Sequence, residues 1–284
     1  MNFARTFRLP RARLIIAAAV MAIAGLLVPA SQAASARTGG GAKPTIVLEH
    51  GAWADSSGWN GVIRRLQHDG YSVLAPPNPL RGLSNDAATL ADFLSTIAGP
   101  IVLVAHSYGG AVVTNAATGN PNVKALVYID AFIPDQGENA FGLAGADSCL
   151  AGDPTKNFKF VPYPGAPAGD VDLYLNTPAN PPYPGFAACF ANGVPAPEVA
   201  LLAVTQRPLT LSAGTAPSGS PAWKTIPSWA LIGTADHVIP PTAQQFMAGR
   251  AHAHITKINA GHLSLISRPG AVTNVILNAI HATR

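Results

Sequence analysis

Three observations in the sequence predict an α/β fold: a mainly parallel sheet with helices on both faces and an inserted proline-rich lid. Short apolar runs alternate with longer segments of helical period from Thr45 to Ile129. The alternation fails after Pro134, and 13 of the chain's 26 prolines, with both cysteines, fall between Asp135 and Ala222. It then returns from Ser228 to Ala282. Such alternation marks parallel strands joined by helical crossovers, in a sheet buried on both faces.

The chain opens with Arg5, Arg8, Arg11 and Arg13, then fifteen uninterrupted apolar or small residues from Leu14 to Val28, then Pro29-Ala30-Ser31-Gln32-Ala33. This is the pattern of a secretory signal peptide, residues 1–33, cleaved after Ala33 or after Ala36. The apolar stretch is shorter than the roughly 20 residues a membrane helix needs, so no stable membrane anchor is expected once it is removed. Without residues 1–33 the 18 basic and 14 acidic residues become 14 of each. The basic excess therefore belongs to the leader, and no basic stripe remains for a nucleic acid partner. A secreted or periplasmic location follows. Residues 34–43 have the small, polar composition of a flexible linker.

Order is expected from Pro44. The core reads as strand Thr45–Glu49, helix Trp59–His68, strand Tyr71–Ala75, helix Asn85–Ala98, strand Ile101–Ala105, helix Tyr108–Thr118 and strand Lys124–Ile129. After the insertion come strand Ser228–Gly233, helix Thr242–Gly249, strand His254–Ile258 and helix Gly270–Ala282. Core residues 44–134 and 223–284 thus flank a lid of residues 135–222. Proline removes ladder donors and blocks helix interiors, so the lid is expected to be irregular rather than a run of strands, with a short helix at Pro197–Thr205. Its aromatics (Phe141, Phe158, Phe160, Tyr163, Tyr174, Tyr183, Phe186, Phe190) line an apolar pocket or form the lid's own core. In an oxidising compartment Cys149 and Cys189 are expected to pair, closing a loop worth about 4 kcal/mol in the chain-entropy model; two buried thiols are the alternative.

The chemistry gathers where strands end. Ala105-His106-Ser107-Tyr108-Gly109-Gly110 follows an apolar strand and opens a helix, which places Ser107 at the apex of a tight turn with the small residues Ala105 and Gly109 two positions to either side. A serine hydroxyl needs an adjacent base, itself oriented by an acid. His262 in Ala260-Gly261-His262 and Asp236 in Gly233-Thr234-Ala235-Asp236 supply both, each after a strand. Asp130, also at a strand end, competes with Asp236 for the role of acid. His68, His252, His254 and His281 read as surface or packing residues. The His252-x-His254 pair lacks a third metal ligand, so neither a metal nor any other cofactor is expected. The oxyanion formed in acyl transfer needs backbone donors. The N–H of Tyr108 follows the nucleophile, and that of Ala52 lies in His50-Gly51-Ala52-Trp53 after the first strand.

Those segments, with Trp59, resemble the α/β-hydrolase superfamily, and within it the branch of plant methylesterases and hydroxynitrile lyases with their bacterial esterase-like relatives. The resemblance covers most of residues 45–134 and 224–284. It implies the α/β-hydrolase fold, Ser107 as nucleophile, His262 as general base and acid, Asp236 as orienting acid, and Ala52 and Tyr108 as oxyanion donors. Lyases of this branch place a threonine after the first-strand histidine and a lysine after the catalytic one, where this chain has Gly51 and Leu263. Ala105 in place of glycine and Glu49 before His50 are departures. The expected activity is that of a serine hydrolase acting on carboxylic esters or lactones of small to medium apolar substrates through an acyl-enzyme. A lyase on the same triad and a catalytically silent secreted binding protein are the alternatives. Ser107 excludes epoxide hydrolases and dehalogenases, which need a carboxylate at that turn.

Overall fold

The computed structural model describes residues 42–177 and 185–283. The leader, most of the linker and Tyr183 lie outside the described residues. The first half is β1 (Thr45–Glu49), α1 (Asn60–His68), β2 (Ser72–Leu74), α2 (Leu83–Ser95), β3 (Ile101–Ser107), α3 (Gly109–Ala116) and β4 (Val123–Ala131). The insertion holds α4 (Ala140–Ala144), α5 (Pro154–Asn157), β5 (Phe158–Val161), β6 (Asp172–Leu175), α6 (Gly185–Cys189), α7 (Ala196–Val204), β7 (Leu209–Thr210) and α8 (Leu211–Thr215). The chain then completes β8 (Ser228–Gly233), α9 (Pro241–Arg250), β9 (His254–Ile258), α10 (Ser264–Ser267) and α11 (Pro269–Ala282).

Six strands form one sheet in the order β2-β1-β3-β4-β8-β9, and every pair is parallel. This is the α/β-hydrolase fold class that the sequence predicts. Its central strand β3 is buried along its whole length, as its Val- and Ile-rich run requires when helices cover both faces. The outer strand β9 is exposed and carries His254, Thr256 and Lys257, polar residues that guard a free edge. His254 stacks on Trp229, with ring centroids 5.0 Å apart, which makes it a packing residue. The chain leaves β1 toward β2 and returns on the other side to β3, so the switch point where open α/β sheets bind ligands falls between the carboxyl ends of β1 and β3. His50-Gly51-Ala52 and Ser107 stand at those two ends.

The insertion corrects one expectation. Proline density argued against strands there, yet β5, β6 and β7 form a three-stranded antiparallel sheet. None of the three strands contains a proline; Pro162, Pro164 and Pro167 lie in the β5–β6 connection and Pro208 directly precedes β7. Proline is barred from a central ladder but not from its flanks. The expected helix at Pro197–Thr205 appears one residue earlier, as α7.

Polar links tie the insertion to the core. Trp53 donates its indole Nε1–H to the Leu173 carbonyl (2.8 Å) and its backbone N–H to the Arg207 carbonyl (3.0 Å). Arg81 forms an ion pair with Asp172. Cys149 and Cys189 are disulfide-bonded, with Cα atoms 5.7 Å apart. The segments bearing both cysteines grip the loop after β8: the Cys149 N–H donates to the His237 carbonyl (2.8 Å), Ser148 Oγ to the Val238 carbonyl (2.7 Å) and His237 Nδ1 to the Ala188 carbonyl (3.0 Å).

Candidate active site

Ser107 ends β3 and has a φ of 54°, a left-handed conformation that costs a non-glycine residue energy and turns its hydroxyl out of the sheet. Only glycine fits around this turn. A Cβ on Gly51 would lie 2.6 Å from Ser107 Cβ and 2.9 Å from the His106 carbonyl oxygen. One on Gly109 would lie 2.8 Å from the His50 carbonyl, and one on Gly110 would lie 2.2 Å from that of Phe132. Gly51→Ala should therefore displace Ser107, lowering kcat by roughly 100-fold and stability by about 1–3 kcal/mol. Kinetics and thermal melting beside Gly249→Ala, where a Cβ meets nothing within 4 Å, check this. The same contact means that this backbone has no room for the threonine that the lyases carry.

Ser107, His262 and Asp236 converge from three strand ends. The Ser107 hydroxyl donates to His262 Nε2 (2.9 Å), and His262 Nδ1–H donates to Asp236 Oδ2 (2.8 Å). Both partners are buried. Burial pushes the His262 pKa down to about 3, which keeps the imidazole uncharged and able to take a proton. For Asp236 burial acts upward and is opposed by the N–H groups of Ile239 (3.0 Å) and Val238 (2.8 Å) and by the Gln244 amide (2.7 Å). With three donors already aimed at it, Asp236 is hydrogen-bonded as a carboxylate.

Several supporting residues carry no local signature in the sequence. His106 donates Nε2–H to the His262 carbonyl (2.9 Å), and its ring lies 4.7 Å from that of His262. Phe190 covers another side of His262 at 5.3 Å. Tyr108 donates its hydroxyl to buried Asp86 (2.8 Å), which anchors the side chain of the residue after the serine. His50 accepts the Asn78 N–H at Nε2 (2.9 Å) and donates from Nδ1 to the Gly51 carbonyl (2.9 Å). Burial lowers its pKa to about 4, so it holds the turn after β1 as a neutral ring. Glu49 is buried, and burial together with nearby Asp86 pushes its carboxyl well above the usual range. No contact explains why an acid stands there.

A cavity of about 200 Å³ opens at Ser107, and Ala52 and Tyr108 line it with the serine. Its walls are mainly apolar and include Trp53, Phe132, Phe141, Phe158, Leu209 and Leu211. The aromatics of the insertion divide between the two roles expected of them. Phe141, Phe158 and Phe160 face the cavity, whereas Phe186 and Phe190 pack together at 5.1 Å as internal core. Tyr163 lies away from the cavity, donating its hydroxyl to Asp170 (2.7 Å). Among the described residues no three His, Cys, Asp or Glu side chains gather as a metal site, and no helix is long and apolar enough to cross a membrane.

A hydrogen-bonded Ser-His-Asp set at the carboxyl edge of a parallel sheet is the arrangement of hydrolases that work through a nucleophile at a strand-to-helix turn. Residues 46–275 match the model of the alpha/beta hydrolase family, and the chain belongs to that family. It is 34% identical over 110 residues to a carbendazim hydrolyzing esterase of Nocardioides sp. (strain SG-4G), a match covering 34% of this chain and 46% of that protein, so it spans about half the length of that relative. It is 26% identical over 258 residues, or 84% of this chain and 96% of the other, to the alpha/beta hydrolase nvfD of Aspergillus novofumigatus (strain IBT 16806). The fold is shared with the crystal structure of polyneuridine aldehyde esterase, at a TM-score of 0.68 and 18% identity, over 84% of this chain and 99% of that one.

Proposed function

We propose that this chain is an exported serine esterase that cleaves carboxylic esters or lactones bearing a small to medium apolar group, through an acyl-enzyme. The observation that carries this reading is the unbroken chain Ser107 Oγ, His262, Asp236 beside an apolar cavity. In it, His262 takes the Ser107 proton as Oγ attacks the ester carbonyl, and the backbone N–H groups of Ala52 and Tyr108 receive the oxyanion. The proton then passes from His262 to the departing alcohol. Water, deprotonated by the same histidine, attacks the acyl-enzyme and frees the acid. No cofactor enters any step. Gly51 and Leu263, in place of the lyases' threonine and lysine, favour hydrolysis over carbon–carbon cleavage. The two esterases to which the chain is similar in sequence or fold act in the same sense. The leader expected at residues 1–33 and the disulfide favour export, and the insertion, through described residues such as Phe141, Phe158 and Leu209, acts as a lid over the cavity.

Hydrolysis of p-nitrophenyl acetate, butyrate and octanoate by the mature chain tests the pocket. A volume near 200 Å³ holds a short or medium chain, so kcat/KM should rise from acetate to butyrate and fall at octanoate. A steady rise through octanoate would contradict a pocket of that size.

A further inference from the structure

Among the buried acids outside the triad, Asp130 holds the ends of both loops that supply Ser107 with its partners. Asp130 is fully buried near the end of β4. The β3–β4 register runs from His106 opposite Ile129 to Ser107 opposite Ala131, so Asp130 is the extra residue of a bulge alongside the nucleophile. It has a φ of 44°, left-handed like that of Ser107 and costly for aspartate. Bulges next to active sites re-aim a side chain, and here the carboxyl reaches two segments. Oδ1 accepts the N–H of Gly233 (2.7 Å), the last residue of β8 and three before Asp236. Oδ2 is hydrogen-bonded to Ser264 Oγ, two residues after His262.

We propose that Asp130 is a positioning residue that works as an uncharged carboxylic acid, clasping the loop that carries Asp236 to the loop that carries His262. The inference rests on the triad reading above. A second buried carboxylate beside Asp236 would meet its charge away from bulk solvent, and its contacts do not require one: a neutral acid still accepts the N–H groups of Gly233 and Ser264, and its hydroxyl can take the donor's part in the bond to Ser264 Oγ, where the serine is the donor to a carboxylate. Burial and the neighbouring Asp236 both push Asp130 well above the usual carboxylate range. The titratable groups near it are Asp236 and, through Asp236, His262 and His237.

Asparagine reproduces this clasp without charge, since its Oδ1 can accept from Gly233 and its Nδ2 can donate to Ser264. The test compares D130N, D130A and S264A with the parent for kcat, KM and the pH profile of kcat/KM on a p-nitrophenyl ester, with melting curves to establish that each is folded. D130A and S264A should lower kcat by about 10- to 100-fold with KM little changed, the scale of an ångström-sized misplacement. D130N should restore kcat to within a few-fold of the parent and leave the acid limb of the profile unmoved. A D130N enzyme as impaired as D130A, or one whose acid limb moves to lower pH, would overturn the proposal, because both mean that the site uses a negative charge at Asp130. A fully active D130A would overturn it as well. S107A and D236N in the same series separate this outcome from failure of the triad reading. If S107A stays active the nucleophile is wrong; if D236N stays active while D130N is dead, Asp130 is the triad acid.

Discussion

Ser107→Ala should abolish ester hydrolysis, with kcat falling on the order of a million-fold, the scale of nucleophile deletion in triad enzymes. The side chain removed is small and its contact with the protein is one hydrogen bond, to His262 Nε2 at 2.9 Å. Folding should be preserved, with stability lowered by about 1–3 kcal/mol at most, because buried His262 Nε2 loses its partner. KM should change little, because Ser107 is a small part of a cavity lined mostly by other residues. Active-site titration and steady-state kinetics of purified parent and variant on p-nitrophenyl butyrate measure the effect. A variant retaining a tenth of the parent's rate would remove Ser107 from the chemistry.

Asp236→Asn should cost about 10⁴-fold in kcat. The carboxylate fixes His262 with its proton on Nδ1, which turns the Nε2 lone pair toward Ser107. An amide can satisfy His262 in two ways. If its oxygen still accepts from Nδ1–H, its NH₂ must face the N–H groups of Val238 and Ile239, which the carboxylate accepts at 2.8 and 3.0 Å. If its NH₂ faces His262 instead, the ring takes the other tautomer and presents a proton to Ser107, where it cannot act as a base. The second arrangement keeps more hydrogen bonds and is the expected one. NMR of the histidine ring nitrogens would report the tautomer, and the rate would follow it.

The parallel sheet was legible because its signal is local and repeated. Most strands of the core are short apolar runs followed by a helix of regular period, and the polar edge strand β9 also coincides with the expected His254–Ile258. The Ser107, Asp236 and His262 candidates were legible for a related reason: they stand at strand ends, which a parallel sheet gathers at one edge, so chain order alone brings distant residues together. The small sheet of the insertion was not legible. Its strands are two to four residues long, and the prolines that argued against them lie outside the ladder. The supporting residues were hidden for a different cause. Asp86 meets Tyr108 across 22 positions and His106 meets His262 across 156, so neither pair leaves a local pattern. Asp130 was visible only as a rival acid. Its place in a bulge, with a positive φ, is a feature of the backbone that no spacing of residues announces.

The central claim is that Ser107 becomes covalently acylated. Incubating the mature protein with a serine-directed fluorophosphonate, then digesting it and mapping the modified peptide by mass, tests this directly. The account predicts one adduct, on the peptide containing Ala105-His106-Ser107-Tyr108, that is absent from Ser107→Ala and greatly slowed in a His262→Ala variant. Labelling at any other serine with Ser107 unmodified, in a protein that turns over esters, would contradict it.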